Sequence, residues 1–184
     1  ESDKGYTTFY CSDGKKHMVS KTLKEFEEAD NFGSLIQPTL KEPTKLLEKL
    51  ESKDAQVDLF LKDTHESIIK VLRQSKYLSP DYHVVIANPP YLGAKGMNAR
   101  MVTWLKDNYK DVKTDIFAAF IVRNTFLALP KGQLGFMTPF VWMFISSYEK
   151  LRSFLIYKKT ITSLIQLEYS GFDGATVPIC TFTL

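Results

Sequence analysis

The chain has 184 residues, of which 44% are hydrophobic and 13% aromatic. This composition excludes wholesale disorder, and the length suffices for one domain with a buried core. The formal charge of +3 and the isoelectric point of about 8.7 are too mild to indicate nucleic-acid binding by themselves. Cys11 and Cys180 are too widely spaced for a zinc site or a disulfide framework, so a reduced, cytoplasmic compartment is expected, and no apolar stretch is long enough to span a bilayer.

The first 80 residues are expected to be partly helical. Residues 1–35 are mixed and polar, with a short strand predicted at 7–10. Leucines among lysines and glutamates predict an amphipathic helix over 39–53 that begins near Pro43. A second helix is predicted over 63–75, where apolar residues recur between charged ones.

The remainder of the chain alternates between strand and helix patterns. A turn at 130–132 is expected to precede a strand, and Ser146 and Ser147 are expected to cap a helix. Strands are predicted at 83–87, 133–138, 161–167 and 177–184, helices at 99–108, 115–129 and 146–156, and a glycine turn at 171–174. This alternation predicts an α/β fold with a parallel sheet and helices on both of its faces.

The strand at 83–87 ends abruptly in the run Asn88-Pro89-Pro90-Tyr91. Because each proline fixes its own φ and lacks an N–H, this loop should be stiff. Ligands of open α/β sheets bind beyond the carboxyl ends of the strands. The loop could hold a planar substrate that bears an amino group, with Asn88 and the Pro89 carbonyl as acceptors and Tyr91 as a stacking face.

This run, and several segments after it, resemble the gamma-type adenine-specific DNA methyltransferases, in particular those of type IIG restriction systems and of BREX phage defence. Residues 85–91 resemble the catalytic motif and residues 91–98 the segment after it. Further likenesses are found at 114–120, 132–139, 146–152 and 171–178. The resemblance implies a partial Rossmann-like, class I methyltransferase fold with a mostly parallel sheet and a C-terminal hairpin. Residues 81–184 would be the C-terminal part of the catalytic domain, preceded by the poorly assigned segment 1–80.

The resemblance also implies roles for individual residues. The catalytic residues would be Asn88, Pro89, Pro90 and Tyr91. Phe172 would pack against an extruded adenine, and Lys95 and Arg100 would meet DNA phosphates. Asp115 and Phe117 would line the cofactor pocket. Plainer roles remain open: Asp115 could be only a helix cap, Phe172 a core residue, Tyr91 the cover of a core edge, and Lys95 and Arg100 solvated surface.

One departure from the family pattern concerns the cofactor, S-adenosylmethionine. The glycine-rich F-x-G-x-G loop that holds it in these enzymes does not precede Asn88 in this sequence. We therefore expect the first strands of the sheet to lie upstream of Glu1 and the target-recognition domain to lie downstream of Leu184. The isolated chain should then bind S-adenosylmethionine weakly or not at all, and its unpaired sheet edges should favour self-association.

The function implied by the resemblance is methylation of the N6 amine of a flipped adenine in DNA, within a restriction-modification or phage-defence system that could include other subunits. Two alternatives remain. The same motif serves methyltransferases that act on a release-factor glutamine or on guanine in ribosomal RNA. The second alternative is a non-catalytic nucleic-acid-binding module that retains the fold.

Overall fold

A computed structural model of the chain describes residues 13–52, 59–80, 82–168 and 177–184. The chain divides into two compact units, Glu1–Ser79 and Pro80–Leu184. In neither unit do the described residues include a helix that is long and apolar enough to cross a membrane.

The first unit is helical where it is described. Its helices are α1 (Asp13–Glu25), α2 (Ala29–Phe32), α3 (Thr44–Glu51) and α4 (Lys62–Tyr77), with 3-10 turns at Gly33–Leu35 and Leu59–Leu61. Helices α3 and α4 confirm the two predicted from periodicity. Their apolar faces meet in a core of buried side chains, which are Val19, Leu40, Leu47, Leu50, Ile68, Ile69 and Leu72.

Helix α1 was not predicted, although its buried residues have helical spacing. Val19, Thr22 and, just after the helix, Phe26 are all buried and recur at i, i+3 and i+7. The pattern is hard to recognise because one of its members is a threonine. The Thr22 hydroxyl oxygen accepts a hydrogen bond from the Leu40 N–H at 2.9 Å, which satisfies this polar side chain inside the core.

The second unit is built on a four-stranded sheet whose order is β1-β2-β4-β3. The strands are β1 (Tyr82–Ala87), β2 (Ala128–Pro139), β3 (Ser163–Gln166) and β4 (Ile179–Thr183). Strands β1 and β2 are parallel, whereas β4 pairs antiparallel with both β2 and β3. The predicted α/β class is confirmed, but the expectation of a mostly parallel sheet was wrong for the described strands. No described helix separates β3 from β4, so this pair can be antiparallel, as the expected C-terminal hairpin requires.

Among the described residues of this unit, three helices accompany the sheet, namely α5 (Ala99–Asn108), α6 (Ile116–Thr125) and α7 (Glu149–Lys158). Short 3-10 turns lie at Lys110–Val112, Phe140–Met143 and Ser146–Tyr148. Helix α5 has the bounds that were predicted, and Asn98 caps it by accepting the Met101 N–H at 2.8 Å. Helix α6 ends before the predicted residue 129 because Ala128 already pairs with Tyr82 in the sheet.

Two local expectations were wrong. Residues 130–132 do not form a turn before the strand; they lie inside β2, where the pairing with β1 shifts between Tyr82 and Val84. Lys131 has a φ of 67° in this irregularity. Ser146 and Ser147 form a 3-10 turn and cap no helix, and α7 begins at Glu149. The strand expected at 7–10 and the turn expected at 171–174 lie outside the described residues.

Candidate active site

The run Asn88–Tyr91 leaves the sheet at the carboxyl end of β1, beside the last third of β2. Ala87, the last residue of β1, is in register with Phe136 of β2. Asn88 is exposed, Pro89 is buried and Tyr91 is half-buried. A buried proline anchors the loop against the unit, so the Asn88 side chain is presented to solvent from a stiff backbone.

The side chains of Asn88 and Tyr91 are hydrogen-bonded to each other. The Tyr91 hydroxyl donates to Asn88 Oδ1 at 2.9 Å. The same hydroxyl oxygen lies 3.4 Å from the Met137 carbonyl oxygen of β2, a longer and weaker contact. Burial, and to a smaller extent Cys180, raise the pKa of Tyr91 above its usual value. The phenol is therefore a neutral donor at physiological pH, and it fixes the orientation of an otherwise exposed amide.

Asp115 fastens the segment after this loop to the start of α6. Its Oδ1 accepts the Leu92 N–H at 3.1 Å and the Phe117 N–H at 3.2 Å. The backbone pairs as well: Ile116 N–H donates to the Leu92 carbonyl at 3.3 Å, and Gly93 and Asp115 form an isolated antiparallel bridge. One carboxylate thus caps a helix and tethers the residue that follows Tyr91.

The charge of Asp115 is partly desolvated. Burial raises the pKa of its carboxyl above the ordinary value of 3.8, although the backbone N–H groups of Phe117, Leu92 and Ile116 oppose that rise. Burial, with a smaller contribution from the Asp115 charge, raises the pKa of Tyr148 to about 12. Tyr148 is therefore uncharged throughout the physiological range.

The ring of the loop residue Tyr91 and two rings below it form an aromatic cluster. Tyr91 meets Phe117 edge to face with centroids 6.4 Å apart, and Phe117 lies 5.4 Å from Tyr148. Phe117 has no exposed surface and Tyr148 is 6% exposed. The cluster supports the Tyr91 ring from below. Tyr148 and the Met137 carbonyl had not been singled out, because no local pattern reveals side chains that meet only through the tertiary fold.

The structure therefore brings together six of the expected residues: the loop Asn88–Tyr91, which includes Pro89 and the exposed Pro90, lies beside Asp115 and Phe117. The two expected phosphate ligands lie on the segment that follows: Lys95 is exposed in a turn, and Arg100 is exposed in the first turn of α5. Phe172 lies outside the described residues. Within the described ranges, no group of three or more histidine, cysteine, aspartate or glutamate side chains could hold a metal ion.

Comparison with known proteins gives a consistent family assignment. A family model described as "Eco57I restriction-modification methylase" matches residues 8–172. The chain is 34% identical over 158 residues to the adenine-specific methyltransferase BrxX of Escherichia coli O9:H4 (strain HS), covering 84% of this chain and 13% of that protein. It is 30% identical over 141 residues to the adenine-specific methyltransferase PglX of Lacticaseibacillus casei (strain Zhang), covering 73% of this chain and 12% of that protein.

A shorter relative extends this result beyond those two proteins. The type II methyltransferase M.HincII of Haemophilus influenzae is 28% identical over 125 residues, which cover 65% of this chain and 25% of that enzyme. The chain thus spans only about an eighth of the length of BrxX and PglX, and about a quarter of M.HincII.

Proposed function

Because the chain belongs to the Eco57I restriction-modification methylase family, we propose that the protein methylates the N6 amine of adenine in DNA and that residues 88–91 hold the reacting amine. The relatives named as adenine-specific methyltransferases support this substrate. Membership in restriction-modification or phage defence follows from the same likeness. The methyl donor we propose is S-adenosylmethionine.

The observation that carries this proposal is the hydrogen bond from Tyr91 to Asn88 at the end of β1. It holds an amide oxygen at the edge of the sheet where ligands of such folds bind. Asn88 Oδ1 has a second lone pair beyond the one that Tyr91 occupies. That lone pair, together with the Pro89 carbonyl, provides two acceptors on adjacent residues.

Two acceptors suit an exocyclic amine, whose lone pair is delocalised into the purine ring. If Asn88 and Pro89 each accept one amine hydrogen, the nitrogen is drawn towards a tetrahedral shape and its lone pair becomes available for attack. Orientation and electrostatic stabilisation of this kind require no strong general base. The proton released after transfer passes to water at the exposed Asn88.

Adenine must leave the duplex before its amine can reach Asn88, at a cost of about a few kcal/mol. Tyr91 is only half-buried, so part of its ring remains available to stack on the base, and one stacked face contributes roughly 1–3 kcal/mol. We assign Phe172 to the opposite side of the base, and Lys95 and Arg100 to backbone phosphates. Both cations are exposed and follow the loop closely in sequence.

Asp115 and Phe117 are proposed to lie on the cofactor side of the loop. S-adenosylmethionine, when bound, would supply an electrophilic methyl group for the amine nitrogen, and its sulfonium sulfur would retain the electron pair of the S–C bond. The half-exposed Asp115 carboxylate suits a cationic donor. Phe117 is fully buried and would act as a wall beneath Tyr91. These residues fit only the reacting end of the cofactor, because no F-x-G-x-G loop precedes Asn88 in this sequence.

Two wider proposals follow from the same likeness, and a third follows from the exposed strands of the sheet. Residues 81–184 would be the C-terminal part of a catalytic domain, and the helical residues before them a separate segment. The protein would act in the cytoplasm, where the cell's DNA is accessible, together with other subunits of a restriction or defence system. The isolated chain would self-associate through its exposed strands. In β1, for example, the side chain of Ile86 is 81% exposed.

The test uses the full-length protein with S-adenosylmethionine that carries a labelled methyl group. DNA, ribosomal RNA and a release factor are offered together as acceptors. We expect label to appear as N6-methyladenine in DNA and to fall at least about a hundredfold in Asn88→Ala, since an oriented transition-state contact contributes that much.

The matched control is Asn108→Ala, which removes an exposed asparagine at the end of α5 that bonds only to the Trp104 carbonyl of its own helix. It should retain the wild-type rate. Label in RNA or protein would replace the proposed substrate and keep the role of Asn88. Absence of label from a folded protein that binds DNA would reject the enzymatic proposal.

A further inference from the structure

A cavity lies at the opposite end of the sheet from Asn88. It is open and has a volume of about 670 Å³. Its floor is the first part of β2, which is in register with the start of β1, whereas Asn88 follows the end of β1. Since β1 has six residues, the two sites are separated by roughly 20 Å of strand. Residues from the end of α7 and the segment after it form the facing wall.

Three lysines line this cavity from two separate segments. Lys131 comes from the irregular part of β2, while Lys158 and Lys159 come from the end of α7. No acidic side chain is among the lining residues. Nor, within the described ranges, does any ion pair involve one of these lysines. Among the described residues, the lining is thus cationic and has no acidic side chain to compensate it.

Helix electrostatics account for only part of this arrangement. Lys158 lies in the last turn of α7, where a cation is stabilised by the helix dipole without any ligand. Lys131 lies in no helix, and its φ of 67° is uncommon for a residue with a side chain. Lys159 lies 6.0 Å from the Phe154 ring centroid. Three like charges around one cleft raise the local concentration of anions.

The remaining walls add hydroxyl groups and an aromatic face. Thr160 and Thr162 line the cavity beside the lysines, and the Thr162 hydroxyl is held 2.7 Å from the Thr183 hydroxyl. The Tyr157 ring is 81% exposed at the same wall. Lysine ammonium groups and hydroxyls are ordinary phosphate ligands, and an exposed phenol can stack on a planar base.

We propose that this cavity binds the phosphate groups of a free, nucleotide-sized ligand, with Lys131, Lys158 and Lys159 as the anion ligands and Tyr157 as the stacking face. The volume falls within the range of pockets that hold small ligands, about 300–1,000 Å³. The position favours a free ligand over the DNA being methylated, which must reach Asn88 at the other end of the sheet. This choice of a free ligand rests on the proposed function, whereas binding of phosphate by the three lysines does not.

The test is isothermal titration calorimetry of the full-length protein with inorganic triphosphate, adenosine triphosphate, adenosine and a short DNA duplex. We expect saturable binding of both triphosphates and none of adenosine. The double variant Lys158→Ala/Lys159→Ala should weaken triphosphate binding at least about tenfold, the effect of losing roughly 1.4 kcal/mol. Tyr157→Ala should remove the advantage of adenosine triphosphate over inorganic triphosphate.

The matched control is Lys106→Ala/Lys110→Ala, which removes the same charge from exposed positions outside the cavity. This variant should bind like the wild type, and an unchanged melting temperature establishes that both double variants fold. Equal weakening in the two would show that only net charge matters and would overturn the proposal. So would absence of saturable binding, or binding of the duplex alone, which would mark a nucleic-acid surface.

Discussion

The phenol of Tyr91 does two things at once. Its hydroxyl holds the Asn88 amide at 2.9 Å, while its ring rests edge-on against Phe117. An exposed asparagine would otherwise change between several rotamers, and each turnover would then include the entropic cost of restricting it to one of them. Preorganisation by a neutral neighbour avoids that cost without placing a charge beside the reacting amine.

Replacing Tyr91 with phenylalanine separates these two roles. The ring and its contact with Phe117 remain, but Asn88 loses its donor. We expect the melting temperature to change little and kcat for DNA methylation to fall about tenfold, the effect of losing one hydrogen bond of roughly 1.4 kcal/mol. The control is Tyr77→Phe at the end of α4, where the side chain is 67% exposed. Full activity in Tyr91→Phe would show that the hydroxyl does not position Asn88.

Asp115 can be tested by two substitutions that differ in one property. Asparagine keeps an oxygen acceptor for the N–H groups of Leu92 and Phe117, whereas alanine leaves both without it. Asp115→Ala should lower the free energy of unfolding by about 1–2 kcal/mol, as expected for a lost N-cap, and Asp115→Asn by less. Chemical denaturation measures both. Equal losses would mean that the hydrogen bonds to Oδ1 contribute nothing specific.

The raised pKa of Asp115 gives stability a definite pH dependence. The folded protein holds this proton more tightly than the unfolded chain, so stability falls as pH rises through the interval from the ordinary value of 3.8 to the raised value. Denaturation of the wild type and Asp115→Asn should be compared from about pH 4 to pH 7. The stability of the wild type relative to the variant should decline with rising pH and then level off. A relative stability that increased would contradict the assignment.

At the scale of elements, the irregularity in β2 depends on Gly132. A Cβ there would lie 2.9 Å from the Leu129 carbonyl oxygen and 3.1 Å from those of Tyr82 and His83, all of them backbone atoms. The two strands approach too closely at this point for any side chain. The irregular start of β2 also supplies the floor of the cationic cavity.

Gly132→Ala should therefore be destabilising, by about 1–3 kcal/mol as for other overpacked sites. Gly135→Ala in the same strand is the matched control, because a Cβ there meets only Ile86 side-chain atoms, at 3.7 Å or more. Thermal unfolding should separate the two variants clearly. Similar melting temperatures would mean that the strands shift apart at low cost.

The elements that were predicted correctly are those whose information is local. Helices α3 and α4 have continuous apolar faces, and α5 begins at an asparagine cap, so periodicity and capping suffice. Helix α1 was missed because Thr22 takes a core position. Strand pairing is not local: β4 inserts between β2 and β3, and nothing in its own residues specifies that partner.

In the candidate site, too, the features set by local sequence were predicted and those set by tertiary packing were not. The loop Asn88–Tyr91 was predicted from a strand that ends in prolines, and Asp115 from its position before an apolar helix. The bonds from Tyr91 to Asn88 and from Leu92 to Asp115 were not predicted, since they depend on how separate segments approach. Tyr148 was not predicted for the same reason: it reaches Phe117 only because two elements that are distant in sequence pack together.

At the scale of the whole molecule, the second unit exposes unusual amounts of apolar strand surface. Val84 is 58% and Ile86 81% exposed, and they share one face of β1. Strand β1 is also an edge of the described sheet. Exposed apolar strands at a sheet edge are templates for pairing with another chain.

Ile86→Lys should therefore reduce self-association of the isolated chain, because a charge on an edge strand disfavours pairing. Light scattering at increasing protein concentration gives the mean mass. The matched control is Ile156→Lys on α7, a position that is 61% exposed and outside the sheet. A monodisperse monomer in the wild type, or an equal effect of both substitutions, would remove β1 from the explanation.

The tether at Asp115 also sets apart one stretch of the second unit. The bridge between Gly93 and Asp115, with the bond from Ile116 to Leu92, closes residues 94–114 into an excursion with a fixed base. The excursion has buried side chains of its own: Leu105 is fully buried, and Tyr109 and Val112 are 5% and 4% exposed. A change of sequence there would therefore leave the hydrogen-bonded base in place but disturb this packing, and it would also alter Lys95 and Arg100, the proposed phosphate ligands.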